Sequence, residues 1–381
     1  MTSSKEKGQY FTTNTELQNK VIQFIRNNPK VILEPSVGRG DLVFATRQKL
    51  EVAFDMYEID PSIDFIINDK YIIIGDFLKQ DIRRKYTTII GNPPYVRTQK
   101  GNLYIDFIQK CVNLLEPNGE LIFIVPSDFM KLTSASKLLN HMLSFGTFTD
   151  IYHPHNENLF ENAAIDVIVF RYCLNKNLPK KVVYNDTELF INNCNGLITF
   201  SDNHQQLPII SDLFDAYVGL VTGKEEIYKN ELLGNISVLN DLGRKEKYIL
   251  IKQFPCDNSE INQYLLSHKE TLINRKIKKF NQKNWFEWGA PRNIKIMEDY
   301  KNQDCIYVRT MTRNQHIAFL GTIDYFGGGL IMLRPKKENI NLSKVLNSLN
   351  SDTFKKNFMY SGRFKIGHRQ ILNSSIQYTN Q

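Results

Sequence analysis

From residue 31 to residue 125 the chain repeats one pattern: a short, mostly apolar run, a polar motif, then often a stretch with helical spacing. Val31–Leu33 enters a glycine turn, and Asp41–Leu50 follows with helical spacing. Val52–Tyr57 ends in Glu58-Ile59-Asp60, Tyr71–Ile74 in Gly75-Asp76, and Thr87–Ile90 in GNPPY, residues 91–95. Tyr104–Leu115 has apolar residues at 104, 105, 107, 108, 111, 112, 114 and 115, a helical stripe. Pro117-Asn118-Gly119 marks a turn before a strand over Glu120–Val125, and Thr147–Tyr152 and Ile165–Tyr172 are further strand candidates. Strands that are apolar throughout are buried on both faces. The pattern therefore predicts an α/β domain built on a parallel sheet with helices on either side. Ligands of such sheets lie beyond the carboxyl ends of the strands, which is where each polar motif falls.

A length of 381 residues with 42% apolar content suits two globular domains. Asn175–Pro179 reads as the start of a linker, so the domains are expected at 1–175 and 180–381. Charge divides at the same place. Residues 1–175 carry 19 lysines and arginines against 20 acids, and residues 176–381 carry 29 against 20. A basic second half suits a polyanionic partner such as nucleic acid. MTSSKEKGQYFTT lacks the apolar core of a secretory signal. The densest apolar runs, such as Leu121–Val125, are too short to span a bilayer. A cytoplasmic protein without a membrane partner is expected. The five cysteines (111, 173, 194, 256 and 305) are odd in number and form no CxxC pair, as expected of reduced thiols. No neighbouring ligand completes a metal set around His153 and His155, so no metal is expected.

In LEPSVGRGD (33–41), Gly38 and Gly40 allow the backbone to approach a ligand before a helix starts. No Gly-Lys-Ser/Thr follows, so this is not a phosphate loop. Glu58 stands roughly 20 residues further on, the spacing at which an acid accepts hydrogen bonds from a ribose diol. Asp76 could accept an adenine amine while Phe77 packs on the base. Singly these are a tight turn, a solvated acid and a turn aspartate beside a core ring. After three successive strands they point to an adenosine-containing cofactor.

GNPPY carries the reactive chemistry. Pro93 and Pro94 have fixed φ and no N–H to donate. The loop is stiff and leaves the carbonyls around Asn92 and Pro93 free to accept. The Asn92 side-chain oxygen adds an acceptor. Two acceptors at fixed separation suit an NH2 group. A ring-bound amine is a weak nucleophile because its lone pair is delocalised, and gripping both protons localises that pair. Tyr95 can stack on the ring. The motif reads as a device for activating an aromatic amine without a charged base, although a rigid turn would need the same prolines.

In this order the motifs resemble those of the gamma-class N6-adenine DNA methyltransferases, the TaqI-like group. They are GQYFTT (8–13), LEPSVGRGD (33–41), YEID (57–60), GDF (75–77), GNPPY (91–95) and LFENAAIDVIVFRY (159–172), and the resemblance covers roughly residues 5–173. It implies a Rossmann-like S-adenosylmethionine-dependent methyltransferase sheet followed by a C-terminal mixed α+β target-recognition domain. It further implies S-adenosylmethionine as cofactor and double-stranded DNA as partner. The reaction would be methylation of N6 on a flipped adenine, by a monomer with or without a companion restriction endonuclease. Carried over by motif, Thr12, Thr13, Glu34 and Ser36 lie near the methionine end of the cofactor, and Gly38 lies in its glycine loop. Glu58 holds the ribose, and Asp76 and Phe77 flank the adenine. Asn92, Pro93 and Tyr95 hold the target base, which Phe160 contacts on its other side. Three stretches, 274–292, 308–315 and 362–370, would supply phosphate contacts and base readout. The alternatives are an amino group of RNA, a protein glutamine, cytosine N4, or a silent fold serving only to bind DNA. An extra domain placed after the catalytic half favours DNA.

Overall fold

The computed structural model describes residues 10–99, 101–161, 163–203 and 207–378. Gly8 and Gln9 of the first motif and Asn162 of the last lie outside the described residues. The chain divides into two units, residues 1–205 with 360–362, and residues 206–359 with 363–381.

The first unit is built on a ten-stranded sheet. Its strands are β1 (Val31–Glu34), β2 (Ala53–Glu58), β3 (Ile72–Ile74), β4 (Tyr86–Gly91), β5 (Leu115–Pro126), β6 (Thr147–Tyr152), β7 (Val167–Cys173), β8 (Lys181–Tyr184), β9 (Thr187–Cys194) and β10 (Leu197–Ser201). They lie in the order β10-β9-β8-β6-β7-β5-β4-β1-β2-β3. Alternate residues of the central strands feed opposite faces. Leu33, Ile89, Leu121 and Phe123 join one apolar core, and Ile32, Ile90, Ile122 and Ile124 join another. Helices cover both. α1 (Thr15–Phe24) packs Leu17, Val21 and Phe24 on the second core. α2 (Asp41–Arg47) adds Leu42 and Val43 to it. α3 (Leu103–Asn113) and α4 (Ser136–Phe145) cover the first with Phe107, Ile108, Leu139 and Met142.

Two expectations need correction. The sheet is mixed, not parallel throughout: β1, β2, β3, β4 and β5 pair in parallel, but β7 runs antiparallel between β5 and β6. All seven residues of β7 are buried, and a strand covered on both faces carries no mark of its direction. The boundary expected at 175–180 falls inside the first unit. Residues beyond Asn175–Pro179 return as β8, which pairs in parallel with β6 through Val183 and Asp150 and continues the sheet into the β9–β10 hairpin. The Asn- and Pro-rich stretch is a turn between strands.

A buried ionic cluster ties α1 to the sheet. Glu120, on β5, is fully buried and accepts from the backbone N–H groups of Arg26 and Asn27 and from Thr88 Oγ1. Arg171, on β7, donates its Nε to Glu120 at 2.8 Å and its Nη1 to Thr149 Oγ1 at 2.8 Å. Arg26 reaches Asp150 at 2.6 Å.

The second unit contains a four-stranded antiparallel sheet of Phe214–Val218, Leu330–Pro335, Asp304–Arg309 and Ala318–Thr322, in that order. Its core gathers Tyr228, Tyr248, Trp285, Trp288, Tyr307 and Phe326. The aromatics of residues 274–292 are therefore largely core. Arg275 is core too: it is 5% exposed and donates to the carbonyls of Thr222, Leu272, Trp285 and Glu287. Lys276, Lys279, Lys283 and Arg292 of the same stretch are exposed. Among the described residues no helix is long and apolar enough to cross a membrane.

Candidate active site

The carboxyl ends of β1, β2 and β4 meet at the glycine loop. Val37 N–H donates to Tyr57 O, and Gly38 N–H donates to Glu58 Oε2, both at 2.9 Å. Gly38 has φ +55°, and a Cβ there would lie 3.1 Å from the Phe11 ring. Gly40, at φ +94°, caps α2. Glu58 accepts two more backbone bonds on Oε1, from Ile59 and Asp60. A carboxylate has about four acceptor sites, so the acid expected to hold a ribose spends most of its capacity on the loop and keeps one site, on Oε2.

A recess opens beside this loop, lined among others by Phe11, Thr12, Glu34, Ser36, Gly38 and Asn92. Five residues expected around a cofactor are thus brought together. Thr13 precedes Asn14, the N-cap of α1, and is not among the lining residues. Glu34 closes β1 and is 2% exposed. Burial pushes its carboxyl up to about 8, against the lowering effect of the Ser36 N–H. Gly91 explains itself here, since a Cβ would come 2.9 Å from Glu34 Oε1. Only glycine lets the GNPPY corner lie against that acid.

The Glu34 shift has a consequence for stability. The unfolded chain ionises Glu34 near 4.5, whereas the folded chain keeps the proton until about 8. Between these values the folded state holds the extra proton, so its stability falls as pH rises through that window. Glu34→Gln is expected to flatten this part of the pH dependence of the thermal midpoint. An unchanged slope would show that Glu34 is already ionised at neutral pH.

Asn92 leaves the end of β4 with its amide clamped. Nδ2 donates to Tyr10 O at 2.7 Å and to Thr12 Oγ1 at 3.1 Å, and Oδ1 accepts from the Tyr95 hydroxyl at 2.5 Å. A carbonyl only accepts, so Tyr10 O sets which way the amide faces. Oδ1 keeps a second lone pair. Tyr95 stands among Tyr10, Phe160 and Tyr104, with ring centroids at 5.6, 6.3 and 6.0 Å. Phe160 is 5% exposed and meets Tyr95 at 81°, while Tyr10 lies against both rings. A base stacked between two parallel rings needs about 7 Å, two carbon contacts of about 3.5 Å. Tyr95 and Phe160 stand 6.3 Å apart and nearly perpendicular with Tyr10 beside both, so the cluster has to open before a base can enter it. Sequence reasoning singled out Thr12 and Thr13 in the first motif and passed over Tyr10, whose neighbour Phe11 lines the recess; the aromatic pair inside GQYFTT was the available signal.

Asp76 and Phe77 lie in the turn that follows β3. Asp76 caps a one-turn 3₁₀ helix, Phe77–Lys79, by accepting from Leu78 N–H at 3.0 Å. Phe77 is 2% exposed, stacked on Phe107 and edge-on to Tyr57. The structure packs this ring into the core and leaves it out of the recess lining. His153 has both ring nitrogens engaged, by Asp166 at 2.7 Å and the Tyr184 hydroxyl at 2.8 Å.

The ten-stranded sheet, with β7 and β9 running against the other eight strands and its motifs at the carboxyl edge, has the architecture of class I S-adenosylmethionine-dependent methyltransferases. The solved DNA complex of the type IIL restriction-modification enzyme MmeI superposes with a TM-score of 0.60 over 95% of this chain and 64% of that one, at 13% identity. Residues 66–160 match the family described as Eco57I restriction-modification methylase. The family resemblance seen in the motifs holds. The type II methyltransferase M.HincII of Haemophilus influenzae is 29% identical over 47% of this chain and 39% of that protein. M.BstVI of Geobacillus stearothermophilus is 23% identical over 79% of this chain and 69% of its own length. The chain thus spans about two fifths of the length of M.HincII.

The family implies S-adenosylmethionine as cofactor, and the residues present fit it. Glu34 is a desolvated carboxyl at the wall of the recess, and a cationic group placed there would supply the opposite charge that lets it ionise. Thr12, Glu34 and Ser36 would hold the methionine portion. Gly38 and the remaining acceptor of Glu58 would hold the ribose.

Proposed function

We propose that the protein transfers a methyl group from S-adenosylmethionine to N6 of an adenine rotated out of duplex DNA, at a specific short sequence, as the modification member of a restriction-modification pair or an unpaired counterpart. The observation that carries this reading is the clamped Asn92 amide. It lines the recess beside Glu34 and presents Oδ1 to the aromatic group of Tyr95 and Phe160.

S-adenosylmethionine, when bound, supplies an electrophilic methyl on a cationic sulfur. The chain supplies the rest. Asn92 Oδ1 and the Pro93 carbonyl accept the two amine protons and localise the nitrogen lone pair. Tyr95 and Phe160 replace the stacking lost on extrusion, which is worth roughly 1–3 kcal/mol per base. Rotating the base out costs on the order of a few kcal/mol. Cations of the second half neutralise phosphates and offset that cost. Entry of the base requires Tyr10 to move aside. Positioning and fixed dipoles supply most of the acceleration.

The test offers a labelled methyl donor to duplex DNA, structured RNA and protein separately, followed by digestion of each product. Label is expected in DNA, as N6-methyladenine. Label confined to RNA, to glutamine or to N4-methylcytosine would overturn the reading.

A further inference from the structure

We infer that Lys110 is a positioning residue for the adenine end of the cofactor site, an assignment that rests on the reading above. Lys110 lies in the last turn of α3, three residues after the buried Phe107. Its ammonium leaves the helix for the turn that follows β3. There it donates to the carbonyls of Phe77 at 2.5 Å and Gln80 at 2.6 Å, and lies 4.7 Å from the centre of the Phe77 ring.

The turn needs such a partner. A 3₁₀ helix of three residues holds itself poorly: within the turn, Phe77 O accepts a single long bond, from Gln80 N–H at 3.2 Å. Asp76 satisfies its amino end through Leu78 N–H, and Lys110 satisfies its carboxyl end. Between these two pins the Asp76 carboxylate is held with 30% of its side chain exposed. Lys79 also pairs with Asp76, at 3.3 Å, but it is 83% exposed, and such surface pairs contribute little. The direction of Asp76 is therefore set by Lys110, across 34 residues of sequence. Asp76 is the acid assigned to the adenine amine, so Lys110 governs how that amine is read without touching it.

The experiment is calorimetric binding of S-adenosylhomocysteine, and of its analogue with hypoxanthine in place of adenine, to the full chain. The wild type is expected to prefer the adenine compound, whose amine Asp76 can accept. Lys110→Met keeps the apolar stem and removes the donor. It is expected to bind S-adenosylhomocysteine about 10-fold more weakly and to lose most of the preference over hypoxanthine, the scale of effect produced by small misplacements of a recognition group. KM for the methyl donor rises in parallel, while KM for DNA stays at the wild-type value. Lys110→Arg restores much of the preference. Retention of wild-type affinity and preference in Lys110→Met would overturn the assignment. So would a lowered thermal midpoint with the preference intact, which is the result of a purely structural lysine. If the wild type itself binds neither compound, the cofactor reading fails and this one with it.

Discussion

Asn92→Ala is expected to lose methyl transfer by about 10²–10³-fold, the cost of removing one preorganised hydrogen-bonding group aimed at a reacting centre. Affinity for S-adenosylhomocysteine should stay within a few-fold of wild type. The two effects separate because Asn92 has two distinct neighbours. It is one of several residues lining the recess, and Thr12, Glu34, Ser36 and Gly38 remain there after the substitution. In the proposed mechanism its Oδ1 is one of only two acceptors for the amine, and alanine has none. The amide is also held so that it cannot rotate freely: Tyr10 O takes Nδ2 and Tyr95 takes Oδ1. Asn92→Gln moves the amide out by one methylene, breaks that match and should be nearly as poor. Single-turnover transfer to DNA, run beside calorimetry with the cofactor product, checks both halves. Ordinary turnover by Asn92→Ala would remove the amine clamp from the mechanism.

Arg171→Leu is expected to cost about 3–5 kcal/mol of the first unit's stability, the penalty for removing one partner of a buried ion pair. Glu120 is fully buried and Asp150 is 3% exposed, so neither charge can turn to water when the guanidinium is gone. Thr149 Oγ1 loses the Nη1 donor as well. The damage should reach the site indirectly, because the same Glu120 holds the backbone of Arg26 and Asn27 just after α1, and α1 follows the Tyr10–Thr12 segment that clamps Asn92. Denaturant titration followed by a probe in the first unit measures the loss. A change under about 1 kcal/mol would place the pair among weak surface bridges.

Most of the first unit was legible in the sequence because its information is local. Each strand of the parallel set is a short apolar run, and each candidate group closes or follows it within a few residues, as Glu34 closes β1, Glu58 closes β2 and Asn92 follows β4. What was not legible depends on distant pairing. The direction of β7 and the attachment of β8 to β6 are set by which edge the chain returns to, and burial patterns carry no trace of that choice. Phe77 shows the same limit at a single residue. Its place in GDF suggests a wall for adenine, but its ring is committed to Tyr57 and Phe107, brought there by β2 and α3. In the second unit, cations and aromatics mixed over residues 274–292 suggested a nucleic-acid surface. Burial separates them: Arg275, Trp285 and Trp288 hold the core, while Lys276, Lys279, Lys283 and Arg292 face outward. A linear reading cannot tell a guanidinium that gathers four carbonyls from one that meets a phosphate.

The central claim is that the corner at Asn92 and Pro93 grips the amine of an extruded base. It is met most directly by a crystal structure of the protein with S-adenosylhomocysteine and a duplex containing its methylation site. The account predicts a target adenine out of the helix, with Tyr10 displaced from the Tyr95 ring and N6 within about 3.2 Å of both Asn92 Oδ1 and the Pro93 carbonyl. A complex in which the target base stays stacked, or in which N6 lies away from both acceptors, would contradict it.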